Sequence, residues 1–163
     1  MSSKPAEPGY RLRPLTPDDL DQVVAIDQAV SGNARKRFFA KRLAGTPASA
    51  DAFVHVGVTH GDALCGFAMA HVLHGEFGRA AVVAVLDALA VTPESGGRGV
   101  GRMLLEELNA GLRRLGVQSL LSQIDWRNHD LMHFFDAAEF SLAPRLALER
   151  PVAAPLDEIV EEA

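Results

Sequence analysis

The sequence predicts an α/β domain: a mixed, mostly antiparallel central sheet of six to seven strands with helices on both faces, an α/β/α sandwich. Three observations carry that prediction. Strand patterns at 52–59, 63–73 and 80–91 follow one another across short turns, which argues for antiparallel pairing. A strand–helix–strand unit over 80–124 argues for one parallel step. Hydrophobic residues make up 48% of the 163 residues, enough to fill the core of one domain.

Taken in order, residues 10–14 read as the first strand. Thr16 is the expected N-cap of the helix that follows; Pro17 suits its first position, and Asp18 and Asp19 suit a first turn that favours anions. Leu20, Val23, Val24 and Ile26 continue at helical spacing until Ser31-Gly32-Asn33 breaks it. A second helix is expected over 34–43, with Phe38, Phe39 and Leu43 inward and Arg35, Lys36, Lys41 and Arg42 outward, ended by Gly45-Thr46-Pro47. Arg35, Lys36 and Arg37 read as a solvated face.

Phe53, Val54, Val56 and Val58 mark the next strand, His60-Gly61-Asp62 turns, and 63–73 returns. Cys65 is the single cysteine, closes no internal disulfide, and reads as a small buried hydrophobe. Beyond a turn at 74–78, residues 80–91 are nearly all apolar, the pattern of a central strand covered on both faces. The helix after it carries Val100, Leu104, Leu105, Leu108, Leu112 and Leu115 on one stripe, and Gly116 caps it. Residues 119–124 form a strand, 128–138 a helix, and 140–142 and 146–148 a terminal strand pair. His129 and His133 lie four apart on that helix but without a third ligand, and read as surface histidines rather than a metal site.

The expected domain therefore covers 10–150, between a disordered lead at 1–9 and an acidic tail at 151–163 holding Asp157, Glu158, Glu161 and Glu162. The net charge is −5 and no broad basic face appears, which argues against nucleic acid as a partner. No apolar run reaches the roughly 18–20 residues of a membrane span, and the first nine residues lack the apolar stretch of a signal peptide. The expected location is the cytoplasm.

The chemistry concentrates where the long apolar strand meets a glycine-rich loop. Leu89-Ala90-Val91-Thr92-Pro93 ends the strand, Gly96, Gly97, Arg98 and Gly99 form the loop, and Val100, Gly101 and Arg102 open the helix. The first N–H groups of a helix have no partner within it, and its dipole adds positive charge at the same end. Glycines there let an anion approach the backbone and permit positive φ, and Arg98 and Arg102 can add charge-assisted hydrogen bonds. The dinucleotide pattern G-x-G-x-x-G fails, because its third glycine falls on Arg102 or Leu104. The P-loop pattern reaches Gly96 and Gly101, but Arg102-Met103 replace its Lys-Ser/Thr pair, which argues against nucleoside triphosphate hydrolysis.

The remaining pattern is R/Q-x-x-G-x-G/A after a strand ending in V-x-P; here Gly96 stands at its first position, and Gly99, Gly101, Val91 and Pro93 match. This resembles the acetyl-CoA loop of the GNAT superfamily of N-acetyltransferases. A second segment, from Asn128 to Phe140, is similar to that family's N-x-x-A-x-x-x-Y-x-x-x-G-F signature, with Phe135 in place of tyrosine and Glu139 in place of glycine. The resemblance covers roughly 10–150 and implies the GNAT fold.

It also implies a reaction: transfer of an acetyl group from acetyl-CoA to a primary amine, small-molecule or protein, by direct attack in a ternary complex, with no metal. Leu89, Ala90 and Val91 would bond the pantetheine arm. Gly96, Gly97, Arg98, Gly99, Val100, Gly101 and Arg102 would hold the pyrophosphate, and Asn128 and Phe135 would contact the cofactor from the other side. Asp87 interrupts the apolar strand near the reaction point and is the first candidate base, ahead of Glu76 and His74. Phe135 cannot protonate a leaving thiolate as tyrosine can, so a second reading is a CoA-binding sensor with weak or no catalysis. A homodimer is the assembly the resemblance suggests.

Overall fold

The computed structural model describes residues 8–45 and 51–153. Most of the expected lead, Thr46 and Pro47, and the four tail acids lie outside the described residues. The chain divides into two compact units, 1–125 and 126–163.

The first unit is built on one five-stranded sheet in the order β1-β2-β3-β4-β5. The strands are β1 (Tyr10–Pro14), β2 (Phe53–His60), β3 (Ala63–Leu73), β4 (Val83–Val91) and β5 (Ser119–Leu121). The first four pair antiparallel and β5 joins β4 in parallel, as the spacing of strand and helix patterns required. The helices of this unit are α1 (Leu20–Ser31), α2 (Lys36–Gly45) and α3 (Val100–Arg114).

Local chemistry sets the ends. Asp19 closes the turn before α1: its carboxylate accepts from the Thr16 N–H at 2.8 Å and from Arg13 at 2.6 Å. Gly32 ends α1 at φ 75°, donating to the Gln28 carbonyl, and Gly116 follows α3 at φ 74°. Both supply the left-handed geometry that a helix end favours.

Two faces of the sheet receive helices. Val23 and Ile26 of α1 and Phe39 and Leu43 of α2 cluster with Phe67, Met69 and Ala90. On the opposite face a Cβ at Gly111 of α3 would stand 2.7 Å from Val54, and one at Gly66 would stand 3.2 Å from Leu104, so α3 lies close against β2 and β3 there. The buried residues of α3 are Val100, Leu104, Leu105, Leu108, Gly111 and Leu112, the stripe the sequence predicts with Gly111 added and Leu115 only half-buried.

The second unit holds α4 (His129–Ala137). Here the expected strand count is corrected from six or seven to five among the described residues, because 140–142 and 146–148 form no strand. The Phe140 N–H is spent on the Phe135 carbonyl at 2.9 Å, closing the helix end, and Pro144 has no N–H to give a ladder. β5 is likewise shorter than the expected 119–124, and β4 begins at Val83 rather than at 80. Among the described residues no helix is long and apolar enough to cross a membrane.

Candidate active site

β4 carries the site, and its two edges differ. On one side it pairs with β3 along its whole length, Val83↔Leu73 to Val91↔Gly66. On the other it pairs with β5 only at Val83, Ala84 and Val85. Beyond Val85 that edge has no strand beside it among the described residues. The open edge runs for about 17 Å at ~3.3 Å per residue, and Leu89, Ala90 and Val91 lie at its far end.

The ladder with β3 breaks where β5 stops. Met69 pairs with Ala88 and Ala70 pairs with Leu86, leaving Asp87 as an extra residue, a β-bulge. Asp87 therefore stands at the closed end of the open edge.

The open end leads into the loop. The Thr92 N–H donates to the Cys65 carbonyl at 2.7 Å, and a single turn at Pro93–Ser95 follows, its bonds running from Ser95 to Thr92 and from Gly96 to Pro93. Ser95 is buried and accepts from the Tyr10 hydroxyl at 3.2 Å, which ties the turn to β1. Gly97 and Gly99 sit at φ 70° and 83°, so both need glycine for the backbone path itself. Gly99 caps α3 and accepts the first helical bond, from Met103 at 3.0 Å. The N–H groups of Val100, Gly101 and Arg102 precede that bond and point out of the helix start. Arg98 bends back to the Glu94 carbonyl at 3.0 Å, and Arg102 pairs along the helix with Glu106 at 2.6 Å.

Asp87 is not a solvated strand-end charge. Its side chain is 7% exposed; Oδ1 is hydrogen-bonded, while Oδ2 is buried without a hydrogen bond and meets the Arg42 cation only as an ion pair. Oδ1 lies 2.8 Å from His71 Nδ1 and accepts from Arg42 Nη2 at 3.2 Å, while Arg42 Nε stands 3.1 Å from Oδ2. The Arg42 guanidinium also lies 5.3 Å from the Phe38 and Phe53 ring centres. This corrects the outward placement of Arg42: its long stem crosses aromatic rings of α2 and β2 to reach β4.

Arg35 is corrected likewise, from solvated face to a two-nitrogen grip on buried Asp27; Lys36 keeps the solvated reading in an exposed pair with Asp21. His55 is buried on β2 beside this cluster, its ring 5.7 Å from that of Phe53. Burial pulls its imidazole down to about 4, and the Arg42 cation adds to the fall.

Asn128 and Phe135 belong to the second unit. Asn128 caps α4, its Oδ1 accepting from the Leu131 N–H at 3.2 Å. Phe135 is buried, its ring 4.6 Å from Phe140 and 5.7 Å from Phe134. Of the other candidates, Glu76 and His74 lie in the exposed turn after β3, and His129 and His133 are exposed on α4.

Sequence reasoning missed His71 and the role of Arg42. The signal for His71 was of the kind that exposed Asp87: a single ionisable side chain within an apolar strand.

Comparison with known proteins agrees with this architecture. The acetyltransferase (GNAT) family matches residues 21–140. No curated protein matches the chain. Among solved structures, the aminoglycoside N-acetyltransferase AAC(6')-Iy in complex with CoA superposes with a TM-score of 0.75 at 16% identity, over 93% of this chain and 99% of that one. The aminoglycoside acetyltransferase meta-AAC0020 from an uncultured soil metagenomic sample gives 0.71 at 16%, over 90% and 97%. Glucosamine-6-phosphate N-acetyltransferase from Arabidopsis thaliana gives 0.67 at 13%, over 88% and 98%. At these identities the structures speak for the fold, whereas the family match spans most of the sequence: the chain belongs to the GNAT family and is an acetyltransferase.

Proposed function

We propose that the protein transfers an acetyl group from acetyl-CoA to a primary amine by direct attack in a ternary complex. The observation that carries this reading is the open edge of β4, with a glycine-lined helix start at one end and a bound carboxylate at the other. The N–H groups at Gly97, Gly99, Val100, Gly101 and Arg102 suit a pyrophosphate, with Gly96 and Arg98 completing the loop. The backbone groups of Leu89 and Val91, which alternation turns to the open edge, suit the amides of a pantetheine arm laid along the strand, as an added strand would be, while Ala90 between them turns its own to Phe67 of β3. An N–H of the same stretch suits a thioester oxyanion. Asn128 and Phe135 are assigned to the cofactor by the family signature, and the acceptor side falls at Asp87. One similar structure was solved with CoA, and others are named for aminoglycosides, which supports a small polyamine as a first acceptor to test.

A second reading has its own observation. Phe135 has no hydroxyl and is buried against Phe140, so it can protonate no thiolate. A thiol of pKa near 8.5 leaves unassisted at a handicap of about 2 kcal/mol at neutral pH, which slows turnover without abolishing it. A CoA-binding protein with little or no turnover would share the loop.

One experiment addresses both. Calorimetric titration with CoA should show binding to the wild type and none to a Gly99→Glu, Gly101→Glu double variant, with release of free CoA from acetyl-CoA in the presence of a panel of amines. Equal heats from the two proteins would falsify the phosphate assignment. Binding without CoA release across the panel would favour the sensor.

A further inference from the structure

We propose that His71 is the base that takes the proton from the acceptor amine, and that Asp87, the residue that stands out in the sequence, positions it. This rests on the acetyl-transfer reading above and assigns its proton-handling group.

Three observations support the exchange of roles. The Asp87 carboxylate is sealed, at 7% side-chain exposure, and both of its oxygens already face cations or N–H groups. His71, its neighbour, is 25% exposed. The contact is made by Nδ1, 2.8 Å from Oδ1. A ring that donates Nδ1–H to a carboxylate keeps its lone pair on Nε2, where it can accept a proton. Last, His71 pairs with Val85, the residue at which β5 leaves β4, so it stands level with the closed end of the open edge.

Among the described residues, Asp87 on β4 touches it, Arg42 on α2 shares that carboxylate, and His55 stands on β2 two residues from Phe53, the residue that pairs with His71. Arg42 shares the Asp87 carboxylate, so that charge is not directed at His71 alone.

The step balances simply. The ammonium form of the acceptor gives one proton to Nε2. The freed lone pair forms the C–N bond, and the C–S bond breaks with its electron pair on sulfur. The second nitrogen proton passes to that thiolate, giving the amide and CoA, and His71 returns its proton to solvent.

The test uses two nucleophiles small enough for any amine pocket: ethylamine, protonated at neutral pH, and hydroxylamine, largely unprotonated there. His71→Gln keeps a donor for Asp87 and so preserves the bridge. We expect it to lower the ethylamine rate by about 10²-fold or more, and the hydroxylamine rate by less than about threefold. Asp87→Asn should lower kcat for ethylamine with little change in KM and the same sparing of hydroxylamine. In the wild type, long-range 1H–15N spectra should show the Nδ1–H tautomer of His71.

Equal loss on both nucleophiles, no loss, or an Nε2–H tautomer would overturn the assignment, provided calorimetry shows CoA still bound. A wild type that neither binds CoA nor releases it from acetyl-CoA with either nucleophile overturns the acetyl-transfer reading and this assignment with it.

Discussion

His55 folds as a base without its proton. Its imidazole is drawn from 6.5 to about 4 by burial first and by Arg42 second. Between those values the unfolded chain binds more protons than the folded one, so stability falls as pH drops from about 6.5 to about 4; above that window the ring is neutral in both states and contributes nothing. At about 1.4 kcal/mol per pKa unit the loss is on the order of 3 kcal/mol. Urea melts at neutral and mildly acidic pH should show that slope in the wild type and a flatter one in His55→Gln; parallel slopes would place its origin elsewhere. Asp19 acts lower on the scale. The hydrogen bond from Arg13 holds its carboxyl below the ordinary range, against the opposing effect of burial, and bonds from Thr16 help. Its contribution is present above the ordinary carboxylate pKa near 4 and is lost as pH falls through the folded value. The two acid effects therefore act in succession.

At the scale of elements, the stripe of α3 was legible apart from Gly111 and Leu115 because a helix with one apolar stripe declares its period, and the loop before it because glycine requirements are local. β4 was harder. Its run is apolar on both faces, so alternation marks neither, and the extra residue at Asp87 leaves no trace in such a pattern. Arg42 was placed outward because helical spacing fixes where a side chain starts, not how far its stem reaches. At the end of α4 the sequence does record a strain. Glu139, standing where the family signature has glycine, adopts φ 62°, and its N–H closes the helix on the Asp136 carbonyl. A side chain with a β-carbon is disfavoured there by roughly 1 kcal/mol or more, partly offset by the greater freedom of glycine in the unfolded chain. Glu139→Gly should therefore raise stability by a few tenths to about 1 kcal/mol. A lower melting temperature would show that the glutamate contributes more than its backbone costs.

At the scale of the molecule, the antiparallel pairing of β2, β3 and β4 and the single parallel step to β5 follow from the sequence alone. What was not legible was the pairing of distant side chains, His71 with Asp87 and Asp87 with Arg42, which depends on register rather than composition. The terminal strands were over-read: Leu142, Leu146 and Leu148 look like strand residues, yet all three are exposed.

The bulge itself has one more implication. Leu86 pairs across from Ala70 and Ala88 from Met69, so the residues on either side of Asp87 already alternate correctly between the two helix-covered faces. The ladder has no use for residue 87; it is supernumerary to the sheet. A chain lacking Asp87 should zip β3 to β4 without a gap, keep its circular dichroism and melt cooperatively, while leaving Arg42 and His71 with no carboxylate between them. Loss of cooperative melting on that deletion would mean that the bend, and not only the side chain, is needed to fold.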